Sequence, residues 1–347
     1  MPSRLQIPEL NREHFRHAVE QKHVVLYPTQ SVTAVDEHGW RHLLHHVPDF
    51  ATKPAPPLKT PDLTTTPTRD PFGGSEFGPN DRERVLDLSG SGGNDDTDTD
   101  PTTQKHSLVQ NLHALCEEHS MIVPTFRTNK FRPQTSDLLE ADLAAAWQVV
   151  SAYHESGRDV AMFYNGGPLA GASQAHLHMQ FCPFQNQSPP GPEAIARRLP
   201  PIAVSEPNLL PLPWIMFYAS LGDAPSVQTL VTTYHNLINR SKTFISSLDE
   251  SEKPPPGPKR ESYNFLLTNK FAFLMPRTDR VSRVPRRASI GQAEGDEIRL
   301  SVNGLLVMGY FYVGLESEVQ DLIDYTLSRV LVDAGYRNND FHDKKST

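Results

Sequence analysis

Polar and apolar residues alternate most regularly around His176. Leu177, Met179 and Phe181 interleave with His176, His178 and Gln180, a period of two that predicts a β-strand with one core face and one polar face. Upstream, a period near 3.6 begins at Asp137. Leu139, Leu143, Trp147 and Val150 form one stripe of a predicted helix, with Asp137 as its cap, Glu140 as the reciprocal partner and Gly157 as its stop. Between them Val160–Tyr164 reads as a strand and Asn165–Gln174 as a glycine-rich loop. Phe15, Ala18 and Val19 mark a short opening helix over residues 11–20, and Leu230, Tyr234 and Leu237 mark another. Tyr263–Thr268 and Phe271–Met275 predict paired strands turning at Asn269-Lys270. Leu300–Val313 reads as β-rich. Val319, Leu322, Ile323, Leu327 and Val330 predict one final amphipathic helix.

This mixture implies an α+β class with antiparallel sheet. Breaks in composition divide the chain into an N-terminal helical and strand segment (1–47), a loop region rich in Pro, Asp and Gly (48–105), a histidine-motif domain (106–200) and a C-terminal domain (205–340). The 48–105 region contains Ser89–Asp100, too polar to order itself by burial. Its Asp96, Asp98 and Asp100 lack the glycine and distal glutamate of a calcium loop. The chain has 347 residues and no apolar run long enough to cross a bilayer. Its first residues lack the apolar core of a secretory signal. Two cysteines, Cys116 and Cys182, sit in separate segments, which argues against a disulfide framework and for a reducing compartment. A net charge of −8 argues against nucleic acid as the main partner, so cations for an anionic ligand have to be concentrated locally.

The candidate chemistry lies at Gly171–Gln180. A loop of glycines and small residues can present N–H groups to an anion, and it feeds directly into the histidine pair. Imidazole is a competent nucleophile at neutral pH, provided its second nitrogen is held by an acceptor. His178 would then carry a nucleotidyl group covalently, with His176 orienting the ring and Gln180 donating to a phosphate oxygen. Two other readings stand beside this one. The histidines can be structural, or His-x-His can ligate zinc or iron. Ligation needs a third histidine or a carboxylate; Gln180 is a poor ligand, and no Asp or Glu lies between Asp159 and Glu193.

Gly171–Gln180 resembles the motif of fungal diadenosine tetraphosphate phosphorylases, or ATP adenylyltransferases. They belong to the histidine-triad and galactose-1-phosphate uridylyltransferase superfamily, whose hydrolase branch has a third histidine in place of Gln180. Ala51-Thr-Lys53-Pro54, Phe131-Arg-Pro-Gln134-Thr, Tyr263–Thr268, Met275-Pro-Arg277 and Ser301-Val-Asn303-Gly-Leu305 resemble further segments of that family. The resemblance implies a histidine-triad-like antiparallel sheet packed with helices in two halves. It also implies phosphorolysis of diadenosine tetraphosphate to ATP and ADP through an adenylyl group on His178. The substrate-binding positions it implies are Lys53, Asn111, Asn165, Gly171, Ala172, Ser173, Gln174, Gln180, Asn303, Gly304 and Leu305.

Two departures bear on the substrate. Leu112 and Gly314 stand where the family carries lysines, with Tyr310 in place of a methionine, and Arg127, Lys130 and Arg132 are the candidate replacements. A different nucleotide specificity and a binding-only role are therefore alternatives. The implied partners are a nucleotide and inorganic phosphate, with neither nucleic acid nor membrane, in a monomer or weak oligomer. Magnesium is expected with the polyphosphate, although no dedicated cage is visible. The expected compartment is the cytoplasm, with the nucleus also open. Finally, Arg286-Arg287-Ala288-Ser289 resembles a basophilic kinase site, where phosphate would add about −2 of charge beside the arginines.

Overall fold

The computed structural model describes residues 6–53, 63, 84–88, 105–125, 132–286 and 297–341. Ser89–Asp100, Arg127, Lys130, Phe131 and, of the kinase-like motif, Arg287-Ala288-Ser289 lie outside the described residues. In chain order the elements are α1 (Ile7–Glu20), β1 (Val25–Leu26), β2 (Ser31–Glu37), β3 (Trp40–His46), β4 (Arg84–Leu88), β5 (Lys105–Gln110), β6 (His113–Ala114), β7 (Ser120–Thr125), α2 (Glu140–Glu155), β8 (Val160–Gly166) and β9 (Met179–Pro183). There follow α3 (Gly191–Ala196), β10 (Asn208–Leu209), β11 (Phe217–Ser220), α4 (Val227–Ser247), β12 (Tyr263–Leu267), β13 (Phe271–Pro276), β14 (Val281–Pro285), β15 (Glu297–Ser301), α5 (Gly304–Val307), β16 (Tyr310–Val313), α6 (Glu316–Tyr325) and α7 (Leu327–Ala334).

A nine-stranded sheet in the order β10-β11-β13-β12-β8-β9-β7-β5-β4 dominates the fold, and its pairings are antiparallel. The strands at 208–276 continue those at 84–183 through the β8–β12 pair, so one sheet spans both halves. Its central strands are buried on both faces, and the alternation of side chains feeds two cores. Val160, Met162 and Tyr164 of β8, Met179 and Phe181 of β9, and Phe265 and Leu267 of β12 pack with α2 and α4. Ala161, Phe163, Cys182, Leu266 and Phe273 face the other way, against Trp40, Trp214 and the apolar residues of α5, β16, α6 and α7.

A second sheet joins the two ends of the chain. β2 and β3 form an antiparallel hairpin, and β16 pairs parallel to β3, with His46 opposite Val313. The segments leaving those strands therefore run side by side. One is the single helical turn Pro48–Thr52 that leads to Lys53; the other begins at Gly314. A side-chain carbon on Gly314 would meet the Ala51 nitrogen at 2.4 Å, so only glycine fits this backbone-to-backbone approach.

Three details differ from the sequence expectations, and a fourth adds a contact to one that holds. α2 is not capped by Asp137 and Glu140: Leu139 is the cap, and Asp142 accepts its N–H at 2.7 Å. Asp142 wins because it is buried and already anchored by His106 (2.7 Å) and by Arg132 (2.9 and 2.8 Å). The last predicted helix is two helices, broken at Thr326, where φ is +76°. The Glu37 carboxylate reaches from β2 to accept the Leu327 and Ser328 N–H groups at 3.1 and 2.8 Å, giving α7 its own start. Leu300–Val313 is not continuous strand, since α5 interrupts it under an Asn303 cap. Cys116 and Cys182 remain free thiols, but their sulfurs meet at 2.8 Å inside the core.

A buried arginine ties the C-terminal strands together. Arg277 is 0% exposed and donates to the carbonyls of Ala334, Val302 and Asp279 and to the Asn264 side-chain oxygen. Burial lowers its pKa to about 9, which keeps it charged at neutral pH. Arg277→Met is expected to orphan these acceptors and cost on the order of 3 kcal/mol. Urea unfolding measures this directly, and a change under about 0.5 kcal/mol, the range of a surface substitution, would contradict the assignment.

Candidate active site

His176 and His178 stand immediately ahead of β9, which starts at Met179 rather than at the histidines. This segment is extended but does not ladder with a neighbouring strand, because the chain at 132–134 pairs with it. His176 bridges Pro133, Leu177 N–H donates to the Arg132 carbonyl at 2.8 Å, and Ala175 O accepts from Gln134 N–H at 2.7 Å. The expected division of faces nevertheless holds, with Leu177, Met179 and Phe181 all buried in the α2–α4 core. The Gln134 side chain completes the clamp. Its oxygen accepts from His178 N–H at 2.7 Å, while its amide donates to the carbonyls of His178 and Asn165 at 3.2 and 3.1 Å.

The His178 ring is fixed at both nitrogens. Nδ1 lies 2.9 Å from the His176 carbonyl, an acceptor, so Nδ1 carries the proton and Nε2 keeps its lone pair. Nε2 is 3.5 Å from the Gln180 amide nitrogen. Burial drives the ring's pKa down to about 4, so it is neutral over the physiological range.

A residue that the sequence reading missed orients Gln180. His119 receives the Leu115 N–H at Nδ1 (3.4 Å), which leaves the proton on Nε2. Nε2 then donates to Gln180 Oε1 at 3.1 Å, and Asn111 donates to the same oxygen at 3.2 Å. With its oxygen held by two donors, Gln180 must turn its amide N–H groups toward His178. Burial also lowers the His119 pKa to about 4, which keeps this arrangement neutral. A lone histidine 59 residues before His178 carries no spacing signal; only the β7–β9 pairing brings it near.

The glycine-rich loop is locked to the C-terminal half. Asn165 uses its side-chain oxygen to accept from Asn264 at 2.8 Å and from Gly304 N–H at 2.9 Å. Asn264 also donates to the Ala170 carbonyl at 2.9 Å. Gly171 has φ +84° and packs against Val302 and Asn303 so closely that a side-chain carbon would lie 2.5 Å from the Val302 carbonyl oxygen. Asn303 accepts from the Leu305 and Leu306 N–H groups at 3.0 and 3.4 Å. Gly171 and Ala172 are buried, whereas Ser173 and Gln174 are exposed at the loop tip.

Beside this loop lies a cleft of about 350 Å³, lined by Lys53, Asn303, Leu305, Arg286, Arg299 and Gly314 among others. The fold thus gathers His176, His178, Gln180 and Asn111 into one cluster. Asn165, Gly171, Asn303 and Gly304 form a second, and Lys53, Asn303 and Leu305 share the cleft. Arg132, a candidate replacement for the missing lysines, is spent on Asp142 and on the Asp137 carbonyl. Among the described residues no group of three or more His, Cys, Asp or Glu is arranged to hold a metal ion.

Comparison with known proteins accords with this geometry. The Ap4A phosphorylase N-terminal domain model matches residues 97–196, and the ATP adenylyltransferase C-terminal domain model matches residues 210–337. The chain belongs to the Ap4A phosphorylase family. Within the family it is 28% identical to diadenosine 5',5'''-P1,P4-tetraphosphate phosphorylase 2 of Saccharomyces cerevisiae, over 67% of this chain and 70% of that one. The crystal structure of a yeast Ap4A phosphorylase shares the fold with a TM-score of 0.70 at 20% identity, covering 96% of each chain. The yeast enzyme's complex with Ap4A superimposes with a TM-score of 0.67 at 19% identity, covering 95% of this chain and 97% of that one.

The depressed histidine pKa values set the acid behaviour. His42 (about 3), His45 (about 4), His119 and His178 are buried neutral, so on acidification the unfolded chain binds protons that the folded chain refuses. Their contribution to stability is complete above the unfolded value of about 6.5 and is lost as pH falls toward 4. Urea midpoints are expected to drop steadily across that window. A flat profile from pH 6.5 to 4.5 would rule out neutral burial of these rings.

Proposed function

We propose that this protein cleaves diadenosine tetraphosphate by phosphorolysis, with His178 as the adenylyl carrier. The observation that carries the reading is the His178 ring itself. Its Nδ1 proton is given to the His176 carbonyl, and its Nε2 lone pair faces an amide whose orientation His119 and Asn111 determine. Family membership, and the activity named for the yeast relative, support the same reaction.

In the first step Nε2 attacks the α-phosphorus. An N–P bond forms, the bridging P–O bond breaks, and ATP leaves with the electron pair. The ring becomes cationic, and the His176 carbonyl stabilises that charge through the Nδ1 proton. The Gln180 amide donates to a non-bridging oxygen of the transferred phosphoryl, with further N–H groups from the Gly171–Gln174 loop. In the second step an oxygen of inorganic phosphate attacks the same phosphorus, the N–P bond breaks, and ADP is released as His178 recovers its lone pair. Because the ring is neutral down to about pH 4, the nucleophile needs no separate base.

Magnesium enters this scheme as the counter-ion of the polyphosphate substrate. We place the activity in the cytoplasm or nucleus of the cell, in a monomer or weak oligomer. Among the described residues no helix is long and apolar enough to cross a membrane. One observation favours a second reading within the same chemistry. Gly314 leaves no room for the family's lysine, which suits a substrate with a shorter phosphate bridge.

The deciding assay incubates the protein with diadenosine tetraphosphate and magnesium, with and without phosphate. ATP and ADP are expected only when phosphate is present, and His178→Ala is expected to abolish both. Gln180→Ala is expected to slow turnover by about 100- to 1000-fold, as for other oxyanion donors. Near-normal turnover by His178→Ala would overturn the covalent route. Turnover of a shorter dinucleotide in preference to the tetraphosphate would select the second reading.

A further inference from the structure

The cleft beside the glycine-rich loop holds three cations, Lys53, Arg286 and Arg299, and they differ in what already neutralises them. Arg286 is committed, since it pairs with Glu318 at 2.5 Å. The other Glu318 oxygen accepts the Gly314 and Leu315 N–H groups at 3.1 Å each. Lys53 has no carboxylate partner among the described residues. Its ammonium lies 4.0 Å from the centre of the Tyr27 ring and 3.8 Å from that of Phe50, contacts that position a charge without cancelling it. Arg299 is paired more loosely, with Glu297 alone among the described residues. Its Nε is shielded from solvent and makes no hydrogen bond, and the Glu297 carboxylate with which it pairs is 3.7 Å away.

Arg299 also sits beside a second guanidinium. It stands directly opposite Arg283 in the β14–β15 ladder, and like charges at such a position repel. On β15 the side chains of Ile298 and Leu300 go to the core, so Glu297, Arg299 and Ser301 share the other face. Asn303, which follows, is packed against Gly171 and links this strand to the phosphate-binding loop.

We propose that Arg299, acting with Lys53, binds the polyphosphate bridge of the substrate and supplies the charge that Leu112 and Gly314 leave out. The inference rests on the adenylyl-transfer reading of the site. A guanidinium suits this position better than an ammonium, because its fork can take two oxygens of neighbouring phosphates. Glu297 then acts as a competing partner that Arg299 abandons when the polyphosphate arrives.

The test separates the cation site from the chemistry. Binding of inorganic tripolyphosphate to the full chain is measured by calorimetry, beside KM and kcat for diadenosine tetraphosphate. Arg299→Ala is expected to weaken tripolyphosphate binding and raise KM by about tenfold, with kcat within about twofold, because ground and transition states lose the same contact. Arg299→Lys is expected to recover only part of the loss, because an ammonium keeps the charge but not the fork, and Glu297→Gln to lower KM. Unchanged tripolyphosphate affinity and KM in Arg299→Ala would overturn the proposal, as would a loss that Arg299→Lys fails to recover even in part. Arg299-dependent tripolyphosphate binding without turnover in the parent would leave the cation site standing and remove the phosphorolytic reading.

Discussion

The site depends on one buried chain of hydrogen bonds that runs Arg277–Asn264–Asn165–Gly304. Each member sits where water cannot reach, so each is tolerated only because its neighbour satisfies it. Asn165 is the penultimate residue of β8, and Asn264 lies on β12, directly opposite it in the sheet. A glycine-rich loop has little side-chain packing to hold it, and its backbone entropy opposes any single conformation. Here Asn264 holds the Ala170 carbonyl, and Asn165 holds the start of α5. The loop is thereby fixed to the C-terminal half by polar contacts, together with the close packing of Gly171 on Val302 and Asn303. Arg277 extends the same chain to the Val302 and Ala334 carbonyls, so loop position is linked to the last helices of the protein.

Preorganisation of His178 follows the same logic. Gln134 meets His178 through its backbone N–H and carbonyl, and Asn165 through its carbonyl. The histidine segment thus takes its geometry from the Gln134 side chain and from the short backbone pairing with residues 132–134 rather than from a long ladder. The ring nitrogens are assigned by acceptors and donors already in place, so no reorganisation is needed when charge develops. Burial would ordinarily be a liability for a titrating group. In this site it holds both His178 and His119 in the neutral forms that the hydrogen-bond pattern requires.

Much of this was legible in the chain. The alternation of Leu177, Met179 and Phe181 gave the correct faces even though the ladder starts only at Met179, because extended backbone has the same period whether or not it is paired. The β12–β13 hairpin and the body of α2 also followed from local pattern. What was not legible depended on distant partners. Asp142 replaced the nearer cap because His106 and Arg132 reach it from other segments. The break at Thr326 is made by Glu37, some 290 residues away. His119 joined the site through the β7–β9 pairing, and Cys116 came to lie against Cys182 by the same route. Periodicity reports what a segment does to its own neighbours; it is silent on contacts that the sheet order creates.

The departures from the family pattern are best understood through the β3–β16 pair. Parallel pairing of the N-terminal and C-terminal strands forces the Pro48–Thr52 turn against Gly314, with no space for a side chain between them. A lysine at 314 would have to displace the turn that presents Lys53, so in this chain the two cations exclude each other. Gly314 is therefore a consequence of how Lys53 is positioned as much as a loss of charge. The cation set has to be completed from a surface that does not compress this turn. β15 offers one, since half-buried Glu297, Arg299 and Ser301 line the cleft together with Ile298 and Leu300, whose side chains anchor the strand in the core. Changes in phosphate-binding charge can accumulate there without disturbing the histidines, because the chain of contacts that orients His178 runs through Gln134, Gln180 and His119 and includes no residue of β15.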